Sequence, residues 1–330
     1  LDTDATVSSL TIENGITFDD SDGNGRTLTV ANGGTFTNNG TFTASDGGIV
    51  FNGSGTVNGT VSFNDVDISG GVNFGSSSTV NGVLSVKAGG FADTNAPTYG
   101  DGSTLEFDTG GSFTIDGSTT LWTTGSTRGQ GVPDNVTVAS TSPLQIFQAR
   151  DVTGKLTVNS SGSVIQGNNA FIVQGDFQNS GDYSFVSDGS EPLTVGGKFT
   201  NNDTITLSET VNGDLFVSGD FTMNGTFNDN DRLLKFDGSS NQSVGGTVDP
   251  ISIAFLQIDN SNGVVLNTGV QISDLLTLTD GQLTTNGNLT LRSTSETDIA
   301  SISGDGSGSV SGNVTFERFL DKGDDASHFR

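Results

Sequence analysis

The chain has no cysteine, one histidine, one methionine, one tryptophan and two tyrosines in 330 residues. Without Cys there are neither disulfides nor thiolate metal sites. In a repeat protein that absence leaves the compartment open, because stacked strands hold without cross-links. His328 is the sole imidazole and lies at the far end of the sequence, so Ser-His-Asp chemistry and His-based metal centres have almost no support. Lys and Arg number 12 against 38 Asp and Glu, a net charge of −26. Nucleic acid and anionic lipid surfaces need a basic field and are excluded as partners, which leaves cations and neutral glycans. No run approaches the roughly 20 apolar residues that a membrane-spanning helix needs. No leader-like segment precedes Leu1 and the only Met is Met223, so the chain reads as processed or as a window on a longer polypeptide. Glutamate is scarce as well. Only six acidic residues are Glu and the rest are Asp, a residue of turns more than of helices. Very little helix is expected.

What is present is a cadence. Phe36-Thr37, Phe42-Thr43, Ile49-Val50-Phe51, Val61-Ser62-Phe63, Val66-Asp67-Ile68, Val72-Asn73-Phe74 and Val83-Leu84-Ser85-Val86 each place apolar residues at alternate positions and are followed within a few residues by Gly or Asn-Gly. Alternation of period two is the mark of a half-buried strand, and Asn-Gly accepts the positive φ of a tight turn. Only 31% of residues are hydrophobic, yet 22 are Phe, and their strand-like spacing separates this chain from a disordered tract. One such unit cannot be stable alone, because a fully buried apolar side chain contributes roughly 1.5–3 kcal/mol while ordering costs about 1.5 kcal/mol per residue. A stack can be stable.

Strands spaced six to eight residues apart suit coils of three strands and roughly 20–28 residues, against paired strands of about five to six residues in a meander. The fold class expected is all-β, a single-stranded parallel β-helix (β-solenoid) with about three short strands per coil; an antiparallel sandwich array is the alternative. About 12–16 coils at roughly 4.8 Å per rung would make a rod of about 55–75 Å. The rod is expected over residues 1–316, with a longer loop around 95–135, where the Trp, one Tyr and two of the five Pro fall. From 317 to 330 the text ERFLDKGDDASHFR loses the cadence and reads as a cap or a linker to a following domain.

Three constellations carry chemistry. Asp20, Asp22 and Asn24 in DSDGNG match the first half of a Ca²⁺ loop, in which short oxygen side chains at alternate positions converge. The twelfth position is Ala31 instead of a bidentate Glu, so an acidic surface turn competes with Ca²⁺ as the explanation, and no other cofactor is expected. Tyr99 and Trp122 are candidates for sugar contact. Glu106, Asp108 and Asp116, with Trp122 and Arg128, are the place where carboxylates, an aromatic and a cation come close in sequence, the raw material of a polysaccharide lyase or hydrolase. Turn-rich acidic chains also produce such groupings by chance. Outward Thr pairs such as Thr35/Thr37 and Thr277/Thr279 read as strand formers in preference to an ice-matching array, since Thr-X-Thr keeps no fixed period.

The phrases GDFTMNGTFNDNDRLLKFDGSSNQSVGGT (219–247), FLQIDNSNGVVLNTGVQISDLLTLTDGQLTTNGNLTLRS (255–293) and GSGSVSGNVTFERF (306–319) go beyond periodicity. They resemble the large exported surface proteins of Bacteroidota that leave the cell by the type IX route. GDGSTLEFDTGG (100–111) and VPDNVTV (132–138) resemble other phrases of that family. The resemblance implies a parallel β-helix at the surface of a Gram-negative cell or released from it, serving as stalk, adhesin or filament component, with a β-sandwich-like region after the E-R-F phrase and a C-terminal sorting domain. Asp203-Thr204-Ile205 is similar to the O-glycosylation acceptor of these bacteria, which makes Thr204 a candidate. The functional expectation is a non-enzymatic structural or adhesive surface protein whose partners are other regions of its own polypeptide, copies of itself, surface proteins or glycans. A glycan-binding β-helix module is the alternative.

Overall fold

The computed structural model describes residues 3–19, 25–44, 47–139, 143–297, 299–304 and 306–319. The fold is the expected β-solenoid: the strands pair in parallel and stack coil on coil, and the described residues contain no helix. Parallel pairing removes the antiparallel alternative. The only antiparallel pairs among the described residues are isolated bridges, Thr98 with Gln130 and Gly129 with Val132. The chain divides into two compact units, Leu1–Tyr183 and Ser184–Arg330.

In the first unit one face is built from strands such as Thr27–Ala31, Gly48–Asn52, Asp65–Ile68, Val83–Val86 and Thr104–Phe107. Their register aligns Leu28, Ile49, Val66, Leu84, Leu105, Val136, Leu156 and Phe177 in one inward column. All of these are buried. Successive partners lie 17 to 21 residues apart, except that Leu105 pairs with Val136, 31 residues on. The first face therefore continues across that long coil, while the other two faces break: the sheet through Phe91-Ala92 and the sheet through Thr98-Tyr99 end, and new ones begin with Phe113–Ile115 and Arg150–Val152.

In the second unit Phe199, Phe221, Val244 and Leu266 form the corresponding column. The first coils of this unit keep three short strands, and the pattern changes locally over 251–280. The second and third faces fuse into Ile251–Asp259 and Val270–Asp280, nine and eleven residues long. A register shift between Ile253 and Phe255 leaves Ala254 out of the ladder. An unpaired buried N–H is costly, and the Asp229 carboxylate accepts it at 2.6 Å. A bulge thus lets one strand turn the corner that elsewhere needs a turn.

Two kinds of glycine maintain the stack. Gly33, in an Asn-Gly pair, has φ +77°, which an L side chain adopts only with strain. Gly225, in another Asn-Gly pair, lacks a positive φ; a Cβ there would collide with the carbonyl oxygen of Asp203 in the coil beneath. Polar side chains join neighbouring coils as well. Asn95 donates to Asn73 at 3.1 Å, Asn224 to Asn202 at 2.9 Å and Asn228 to Thr206 at 3.1 Å, each 22 residues apart, one coil of chain. Inside the second unit the rings of Phe199 and Phe221 lie 5.1 Å apart and only 10° from parallel.

Candidate functional site

The residues singled out by sequence do not assemble into one site. Asp20, Asp22 and Asn24 lie outside the described residues. Among the described residues no group of three or more His, Cys, Asp or Glu is placed to hold a metal ion, and no helix is long and apolar enough to cross a membrane.

Tyr99 and Trp122 are not surface platforms. Both are fully buried, at 1% and 0% exposure. The Tyr99 hydroxyl donates to the Leu121 carbonyl at 2.9 Å, and the Trp122 indole N–H donates to the Asp151 carbonyl at 2.9 Å. The Trp122 ring lies 6.3 Å from Phe107 and 5.8 Å, edge-on, from Phe171. Burial alone pushes the Tyr99 hydroxyl pKa well above its ordinary value. The long coil accounts for this burial. Where two faces break, the interior needs filling, and the largest side chain in the protein fills it with its polar atom satisfied.

The carboxylates of that region are dispersed. Glu106 accepts from Ser85 at 3.0 Å, and Asp108 pairs with Lys87 at 2.9 Å. Asp116 accepts from the Ser118 hydroxyl and backbone N–H, which hold its pKa below the usual value. Arg128 pairs with Asp101 and Asp134. Glu106 and Asp108 are each bonded to a side chain one coil back, and Asp101 and Asp134 share Arg128. Arg150, nearly buried, gives Nη1 to the Ala149 carbonyl at 2.8 Å and Nη2 to the Asp116 carbonyl at 2.9 Å. It fastens the 116–134 loop to the coils, and burial lowers its pKa. Thr204 begins the strand Thr204–Thr206, half-buried, with its hydroxyl 3.3 Å from the Asp203 carboxylate and its backbone in register with Thr226.

A concavity that the sequence reading missed lies on the second unit. It has a volume of ≈ 640 Å³ and is lined on one side by Leu233, Phe255 and Leu275. These three occupy one outward row, since Leu233 pairs with Phe255 and Phe255 with Leu275 across adjacent strands. All three are half-buried, while their inward neighbours Leu234, Leu256 and Leu276 are buried. Two residues along, a second outward row runs Lys235, Gln257, Thr277. Asp214, Asp231, Arg232 and Asp274 also line it. Burial raises the Asp214 pKa, against the Leu233 N–H bond at 3.0 Å and the charge of Arg232, which lower it. The signal was present in sequence: Leu233-Leu234, Phe255-Leu256 and Leu275-Leu276 each break the alternation by placing an apolar residue outward, at a spacing close to one coil. Lys235 contributes no free charge beside the groove, as it pairs with Asp259 at 2.8 Å and lies 5.9 Å from the centre of the Phe216 ring.

Compared with protein-family models, with curated proteins and with solved structures, the chain matches none.

Proposed function

We propose that this chain is a non-enzymatic structural module of an exported surface protein, a stiff β-helical segment that holds other regions away from the cell or forms part of a filament. The observation that carries the reading is the use made of the polar side chains. Asn73, Asn95, Asn202, Asn224, Lys87 and Asp108 are bonded from coil to coil, so polarity that an enzyme would gather at one place is spent along the stack. Stacked ladders resist bending because each coil is bonded to its neighbours along the whole of its strands. The excess of Asp hydrates the outside and discourages clumping through like-charge repulsion. The phrase resemblance to exported surface proteins supports the localisation.

Electron microscopy of the purified native protein tests the mechanical reading, with stiff rods or fibres expected; compact globular particles would refute it. Protease treatment of intact cells tests the localisation: loss of the protein without lysis is expected, and full protection contradicts surface display.

A further inference from the structure

We propose that the groove above Leu233, Phe255 and Leu275 is a binding site for a short neutral oligosaccharide. The apolar row crosses three rungs, a span of about 10 Å, and the ≈ 640 Å³ concavity falls within the range of small-ligand sites, roughly 300–1,000 Å³. The half-buried Phe255 ring between two Leu side chains is a surface on which the C–H face of a sugar ring can lie.

The polar lining decides the ligand class. Gln257, Thr277 and Arg232 supply donors, while Asp214, Asp231 and Asp274 supply acceptors. Several are not used up internally. Arg232 donates through Nε to the Asn230 carbonyl at 3.1 Å and Asp214 accepts through Oδ1; the Arg232 terminal nitrogens, the second Asp214 oxygen and the Thr277 hydroxyl carry no hydrogen bond among the described residues. Sugar hydroxyls donate and accept together, so this mixture suits them. A basic peptide would need acceptors alone and would meet Arg232; an anionic sugar would meet three carboxylates. An extended peptide also has no backbone to pair with, because the ladder from 233–236 through 251–259 to 270–280 is already closed on both sides of the central strand. The proposal does not depend on export or on a stalk role, since binding to the purified chain is read by itself.

The test is calorimetric titration of the whole chain with cello-, malto-, manno- and chito-oligosaccharides, with a lysine-rich peptide in parallel. At least one neutral sugar is expected to bind, with affinity unchanged between about 0.1 M and about 0.5 M salt, where exposed charge pairs are screened. Phe255→Ala and Arg232→Ala are each expected to weaken it about tenfold, the size of one good contact. Gln257→Ala, which also gives up the bond from the half-buried Gln257 amide to the Thr279 hydroxyl at 2.8 Å, is expected to weaken it several-fold with unchanged circular dichroism. Failure of every sugar to bind, binding that survives all three substitutions, or salt-sensitive binding of the peptide alone overturns the proposal.

Discussion

Replacing Trp122 with Ala asks the most of the packing described for the long coil. The side chain is fully buried between Phe107 and Phe171 and donates to the Asp151 carbonyl. Truncating a buried large aromatic costs about 3–5 kcal/mol, cavity included, and a buried carbonyl left without its donor adds about 1–3 kcal/mol. The two losses overlap where the 116–134 loop relaxes into the space, so about 4–6 kcal/mol is expected. That is a large fraction of the roughly 5–15 kcal/mol that holds a domain together. Trp122→Phe keeps most of the packing and loses the hydrogen bond, so it isolates the smaller contribution, about 1–3 kcal/mol. Urea unfolding followed by circular dichroism measures both variants. Because Trp122 is the only tryptophan, wild-type fluorescence is also a direct reporter: blue-shifted emission resistant to acrylamide is expected, moving to the red on unfolding. A loss under about 1 kcal/mol for Trp122→Ala, or freely quenched native emission, would mean that the indole sits in water and that the loop is not plugged as described.

The Asp229 carboxyl is raised in pKa mainly by burial, its bond from Ala254 only partly compensating. The native state then takes up its proton before the unfolded chain does, and stability from this group is gained as pH falls through the folded value and is complete below about pH 4. Asp229→Asn, which can still accept from Ala254, should raise the melting temperature at pH 7, with the difference closing near pH 4; a variant less stable at neutral pH contradicts this. Gly281 has φ +80°, and a Cβ there meets the Asn260 carbonyl, so Gly281→Ala should lose at least about 2 kcal/mol. Gly48 faces open space, and Gly48→Ala should be neutral or stabilise by up to about 1 kcal/mol in the same melts. Asn201 is buried and donates to the carbonyls of Asp203 and Thr226, both at 3.0 Å. Asn201→Leu should cost about 2–3 kcal/mol and show as faster hydrogen exchange over 199–228; unchanged exchange there would argue against that bonding.

The repeating architecture was legible because it is a property of neighbouring residues. Val66-Asp67-Ile68 can only put Val66 and Ile68 on one side and Asp67 on the other, and a strand of three residues followed by Asn-Gly cannot do much except turn. Low helix content followed in the same way from the excess of Asp over Glu. The sites were less legible, since chemistry needs residues brought together across coils. Glu106 and Asp108 lie two residues apart in sequence, yet register hands one to Ser85 and the other to Lys87. Trp122 in a loop looked like an exposed aromatic because loops usually are exposed; the broken faces of the long coil drew it inside. The groove had the opposite fate. Its three outward apolar residues are visible at Leu233, Phe255 and Leu275, but only the pairing of their strands aligns them in one row.

By itself, then, the order of residues determined the strand, the turn and the inward column, because each depends on a few adjacent φ/ψ angles and on which side of a pleat a side chain leaves. Tertiary structure alone decided that the second and third faces fuse at a bulge held by Asp229, that Trp122 is core, and that an apolar row lines a concavity beside carboxylates and an arginine. Those outcomes depend on register between chain segments about twenty residues apart, and a shift of one residue would turn every one of them to the other face.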